Sequence, residues 1–191
     1  MIYPSLDKLN IMLFCQSLKT YSISFNLFLR TTVMTASLLI PVLFSSHAYS
    51  DTSVLPIASD LQELGKQATK QNLPIAIFFS AKGLKSTSNL KDEAILPALY
   101  SGQLDGHVLM TEINVNVDQT TIDFYGDATP NSEFKDLYNL TSLPVMVFVN
   151  GEGEVITEQL LSGAYDYYHF YLKQSINNAL KALNNSNRIP E

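Results

Sequence analysis

Tyr138-Asn139-Leu140-Thr141-Ser142-Leu143-Pro144-Val145-Met146-Val147-Phe148-Val149-Asn150-Gly151-Glu152-Gly153 decides the fold. Val145–Val149 is an unbroken run of β-branched and large apolar residues. Such a run suits a strand covered on both faces, not one facing water on alternate residues. Pro144 cannot extend a helix from Tyr138 into that run, so Thr141–Leu143 must be the turn between the two. Asn-Gly followed by Glu-Gly is the turn chemistry of a hairpin, so a strand over Val155–Leu161 is expected to return antiparallel.

Working outward, the upstream half repeats the covered-strand pattern. Leu73–Ala81 is nearly continuously apolar. Ile57, Leu61, Leu64 and Ala68 before it recur at helical spacing, with Asp60, Glu63, Lys66 and Lys70 alongside. Asn72 and Pro74 stop that helix. After the loop 82–88, Ser88 is the expected N-cap of a second helix through Leu90, Ala94, Ile95 and Ala98; Pro97 should kink it and Gly102 end it. His107–Val117 reads as the second strand, 118–130 as a polar insertion loop, and Glu133–Leu140 as a short helix with Phe134, Leu137 and Tyr138 inward. The last helix carries Tyr168, Leu172, Ile176, Ala179 and Leu183. Residues 184–191 are polar and expected to fray.

The resulting order is α-β-α-β-α-β-β-α. Two early strands joined through a helix pair in parallel, and the last two form an antiparallel hairpin. The fold class is α/β, a mixed central sheet of about four strands with helices on both faces.

Residues 1–50 read as a leader. Arg30 precedes an apolar run from Val33 to Phe44, and Ala48-Tyr49-Ser50 is a small-x-small site with cleavage expected after Ser50. This implies a periplasmic or secreted protein. The alternative is an uncleaved N-terminal anchor, and Met12 is an alternative start. Residues 51–56 then serve as a linker to a domain over 57–183.

The net charge of the chain is −6, yet the first fifty residues hold Lys8, Lys19, Arg30 and one acid, Asp7, so residues 51–191 carry −8. That acidity disfavours nucleic acid, which is bound by displacing counterions with Lys and Arg. A membrane is a partner only if the leader stays attached. The apolar share of 46% against 16% charged residues supports a buried core. The single cysteine, Cys15, lies in the leader, so a disulfide framework and Cys-ligated metal are ruled out. His47, His107 and His169 are scattered and form no ligand set. Asn114, Asn116 and Asp118 start like a calcium loop but lack its later glycine and glutamate, and are read instead as outward polar residues of a strand. No metal, no cofactor and no catalytic residue are assigned.

The order and punctuation resemble the thioredoxin superfamily over about residues 57–183. Three features carry the resemblance: Ile75–Ala81 followed by a loop and helix, the stretch Tyr138–Val149 with Pro144, and the hairpin ending at Gly163 before the last helix. The resemblance implies a thioredoxin-like fold, a cis peptide bond at Leu143–Pro144, and a Cys-x-x-Cys at the start of the second helix. Aligned on Asn89–Leu96, the cysteine positions fall on Lys85 and Ser88, within Lys85-Ser86-Thr87-Ser88. Without a thiolate there is no disulfide exchange. The family's buried acid on the first strand is missing too, since Leu73–Ala81 holds neither Asp nor Glu.

The function that follows is a redox-inactive binding or accessory module for other exported proteins. It would bind extended segments beside Leu143 and Pro144, where the resemblance implies strand pairing. Lys85, Ser86 and Ser88 at the helix start are further binding candidates, weighed against a solvated cap. Two alternatives stay open: an enzyme of thiol–disulfide lineage that depends on a partner's cysteines, and a scaffold subunit of an envelope complex. The scaffold would use the aromatic cluster Tyr165, Tyr167, Tyr168, Phe170 and Tyr171. Oligomeric state is not assigned.

Overall fold

The computed structural model describes residues 55–163 and 165–190. The leader, its cleavage after Ser50, Met12, Cys15 and residues 51–54 of the linker lie outside the described residues.

Strand β1 (Ile75–Ser80) runs through the middle of the sheet. Strand β2 (Leu109–Asn114) pairs with it in parallel, with Ile75 opposite Leu109 and Ser80 opposite Asn114. A later strand, β5 (Val145–Val149), pairs antiparallel on its other side, with Phe79 opposite Val145. Strand β6 (Leu160–Leu161) closes the order β2-β1-β5-β6. β1 and β5 are buried at every residue, as their unbroken apolar sequences require.

Residue parity sorts these side chains into two cores. Ala76 and Phe78 of β1 and Met146 and Phe148 of β5 face a layer made by the second helical segment and the last helix. Helix α2 (Lys85–Leu90), a π turn (Lys91–Ile95) and helix α3 (Leu96–Tyr100) make up that segment. Ile75, Ile77 and Phe79 face helix α1 (Leu61–Gln71) and helix α4 (Phe134–Leu137). Helix α5 (Tyr165–Ala182) buries Tyr168, Leu172, Ile176, Ala179 and Leu180 in the first layer. A mixed four-stranded sheet with helices on both faces is therefore present.

Several expectations need correction. Ile57 does not belong to the first helix. Asp60 caps α1 by accepting from the Glu63 N–H at 2.8 Å, and Ile57 is half exposed in an extended segment bridged to Glu112. Part of the proposed linker is core, since Leu55 is fully buried and Pro56 C=O accepts from Glu112 N–H. Ser88 is not the N-cap: α2 starts three residues earlier, after Leu84, which offers no side-chain cap. Pro97 cannot donate to the carbonyl four residues back. The helix answers with a π turn in which Leu96 N–H reaches Lys91 C=O, and continues.

The 118–130 insertion is not a plain loop. It holds a two-stranded sheet, β3 (Thr120–Ile122) against β4 (Ala128–Pro130). Beyond the Asn150–Gly153 turn, Val155 only bridges to Val149, and regular pairing resumes at Leu160. Leu137 is exposed rather than inward. The 184–191 tail, expected to fray, folds back over its described residues. Ile189 is 2% exposed, and it exchanges two hydrogen bonds with the Asn177 side chain (2.8 and 3.0 Å).

Candidate functional site

The register fixes where the sequence-named residues meet. Val145 opposes Phe79, so Leu143 and Pro144 precede β5 at the sheet end where β1 delivers the chain to the 81–84 loop and α2. The Leu143–Pro144 peptide bond is cis. Pro144 is buried and Leu143 half-buried against the α1-side core. Among the described residues, neither the N–H nor the C=O of Leu143 makes a backbone hydrogen bond. Lys85 and Ser88 are exposed on the first turn of α2, and Ser88 Oγ donates to Lys85 C=O at 3.0 Å. Ser86 is half-buried.

The β1–α2 loop is held from the β2 side. Asn116 Oδ1 accepts from Lys82 N–H (2.7 Å) while its Nδ2 donates to Lys82 C=O (2.9 Å). A side-chain amide that reads both backbone groups of one residue acts like a strand pair one residue long. Asn116 is thus a loop clamp, where its sequence context suggested only an outward polar side chain.

A pocket of about 720 Å3 opens between this loop, the first turn of α2 and the end of β2. Lys85, Thr87 and Ser88 line it, whereas Leu143 and Pro144 do not. The loop therefore separates two places: the Leu143 main chain beside β5, and this pocket beside β2. A second concavity, of about 640 Å3, lies between α1, Phe124 and the Gly151 turn and contains none of the residues named from sequence.

The floor of the larger pocket carries a group that sequence reading missed. Glu112 is 1% exposed. Its Oε1 accepts from the Ser80 hydroxyl at 2.6 Å, and its Oε2 pairs with Lys91 Nζ at 2.6 Å. Asn114 Oδ1 lies 3.0 Å from the same Ser80 oxygen. A buried carboxylate is tolerated only when both oxygens are engaged, and here they are. β1 itself carries no acid; the buried one lies on β2, opposite Phe78. The signal was parity. Glu112 shares a face with Met110, two residues before it, in a strand apolar on both sides.

The side chain of Thr87 also lines the pocket. The residue is 7% exposed, and its Oγ1 has no hydrogen-bond partner among the described residues. No group of three or more His, Cys, Asp or Glu among the described residues could hold a metal ion. Among the aromatic cluster, Tyr168 is buried, and burial pushes its phenol well above the usual range. Tyr167, Phe170 and Tyr171 are exposed, the last two in edge contact at 5.5 Å.

The fold is thioredoxin-like. That statement rests on the sheet order, on the parallel β1–β2 and antiparallel β1–β5 pairs, and on the placement of the helices.

No protein-family model matches the chain, and no curated protein does. Among solved structures, the chain is similar to "DsbH Oxidoreductase" at 17% identity, covering 64% of this chain and 85% of that one, with a TM-score of 0.49. It is similar to thioredoxin of Fasciola hepatica at 16% identity, covering 64% and 96%, with a TM-score of 0.43. It is also similar to thioredoxin O2 of Arabidopsis thaliana at 14% identity, covering 64% and 94%, with a TM-score of 0.44. These are likenesses of fold and say nothing of what this chain binds or does.

Proposed function

We propose that this protein is a thioredoxin-like binding module that works without thiol chemistry, accessory to other exported proteins, and that it holds an extended segment of its partner against Leu143. The observation that supports this is the main chain of Leu143, which makes no backbone hydrogen bond among the described residues, set at a sheet end whose neighbouring segment, 82–88, has no cysteine. A free N–H and C=O next to a strand are the elements of strand addition, in which backbone hydrogen bonds supply affinity and flanking pockets supply selectivity. Lys85, Ser86 and Ser88, on the first turn of α2 across the 81–84 loop from Leu143, are proposed as further binding groups. The export reading comes from residues 1–50. Among the described residues, no helix is long and apolar enough to cross a membrane.

Two measurements test it. A photo-crosslinking residue at position 143 should capture doubly blocked, extended peptides. Insulin-disulfide reduction should not exceed the uncatalysed rate, and catalysed turnover would overturn the redox-inactive reading. A scaffold role is favoured by one observation, the exposed Tyr167–Phe170–Tyr171 face. Crosslinking from that face with silence at position 143 would replace the first reading by the second.

A further inference from the structure

The pocket beside β2 combines features that the Leu143 site does not use. Its wall is apolar at Ile57, Leu84 and Val117, and the first two are exposed large hydrophobic residues. Its rim carries Lys82 and Lys85, which take part in no ion pair among the described residues, against one exposed acid, Asp92, so the unpaired charge there is a net +1. At its floor the charge of Glu112 is already met by Lys91. Thr87 lines it too, more than nine-tenths buried, and its covered hydroxyl has no hydrogen-bond partner among the described residues. A buried polar group without a partner is costly and uncommon, and one that lines a cavity is suited to a ligand.

We propose that this pocket captures a peptide C-terminus with an apolar last residue. The apolar side chain lies on Ile57, Leu84 and Val117. The terminal carboxylate meets the Lys82 and Lys85 ammonium groups and accepts from Thr87 Oγ1. The volume of about 720 Å3 is ample for one or two residues. A single carboxylate fits better than a polyanion, because residues 51–191 carry −8 and repel large negative partners. The proposal extends the peptide-binding reading above and gives it a chain end.

The test uses the purified protein and three probes: acetyl-Gly-Ala-Leu as the free acid, the same peptide as its C-terminal amide, and octanoate. Calorimetry gives affinities, and amide NMR shifts at Thr87 and Lys91 locate the site. The free acid should bind roughly tenfold or more tightly than the amide, the scale of one lost charge-assisted hydrogen bond. Lys82→Gln with Lys85→Gln should weaken the acid by a similar factor, and both positions are exposed. Thr87→Val should weaken binding without lowering the thermal midpoint, since it removes a hydroxyl that has no partner in the free protein. A purely structural Thr87 would show the opposite pattern.

Equal affinity for acid and amide overturns the proposal. So does octanoate binding as tightly as the peptide acid, which would make the pocket a fatty-acid site. Capture of blocked peptides at position 143 together with acid–amide equality defeats this proposal and leaves the groove reading standing. No capture at 143, with acid–amide discrimination mapped to Thr87, defeats the groove reading and leaves the pocket.

Discussion

At the scale of single residues, the pair under the pocket is a constraint as well as a contact. Lys91 is a quarter exposed, whereas the Glu112 side chain is 2% exposed, so the pair is asymmetric. Removing Lys91 leaves a carboxylate that cannot reach water, whereas removing Glu112 leaves an ammonium that can. Lys91→Met should therefore cost about 2–4 kcal/mol in urea denaturation, near the range for orphaning a buried charge. Glu112→Gln alone should cost less, and the double variant should recover much of the Lys91→Met loss in a double-mutant cycle. Equal costs for the two single variants would contradict the asymmetry.

Glycine sets a second residue-level limit. A Cβ built on Gly65 would overlap the carbonyl oxygen of Gly151, and one on Gly151 would overlap Thr69 Oγ1. Gly→Ala inside a helix ordinarily stabilises by about 1 kcal/mol. Here Gly65→Ala should lower the thermal midpoint instead, because the obstacle is backbone rather than a mobile side-chain end.

Among elements, the β3–β4 hairpin has an acid-sensitive tip. Burial raises the Asp123 carboxyl. The N–H groups of Asp127 and Tyr125, the Thr129 hydroxyl and the Gly126 N–H outweigh it, holding the carboxyl below the usual 3.8. Asp123 Oδ1 accepts from Tyr125 and Asp127 at 2.9 Å each. A depressed pKa contributes stability above the unfolded value and loses it as pH falls through the folded one. Amide protection at Tyr125 and Asp127 should thus fall on acidification below 3.8, and Asp123→Asn should remove that pH dependence.

The strands were legible because apolar runs such as Val145–Val149 and Ile75–Phe79 can only be covered strands, and the Asn150–Gly153 turn and the α5 stripe were equally plain. What was not legible depended on distant partners. Ile57 keeps helical spacing with Leu61, yet the β2 edge offers Pro56 and Ala58 the N–H and C=O of Glu112, and pairing there overrides the local pattern. The insertion seemed all turn because its strands are only three residues each. Leu143, Pro144, Lys85, Ser86 and Ser88 were singled out from the chain, and the structure puts Lys85 and Ser88 on the pocket and Leu143 and Pro144 just before β5. Glu112 left only its parity with Met110 as a signal and Thr87 left none, since burial of a polar group is a tertiary fact.

At the scale of the whole molecule, both chain ends of the described domain are core. Leu55 and Ile189 pack into the same layer as Phe78 and Leu172. Asn185 and Asn187 tie the tail to Asn72 C=O and Gly106 C=O, beyond the ends of α1 and α3. Ile189→Ala should cost about 2–4 kcal/mol by equilibrium unfolding, the usual range for a buried Ile→Ala. A cost near zero would mean that the tail only rests on the surface.

The inserted hairpin runs the length of one side of the domain. Its root residue Gln119 helps wall the pocket beside β2, and Asn131 ties it to Asn114 C=O. Its tip carries Phe124 to Gly65 and Gly153, at the opposite end of the sheet. It is a crossbar bolted at both ends, not an ornament spliced into a surface. Shortening 118–130 to a tight turn, the first thing an engineer minimising this domain would try, would open the pocket wall and unseat α1 in a single edit.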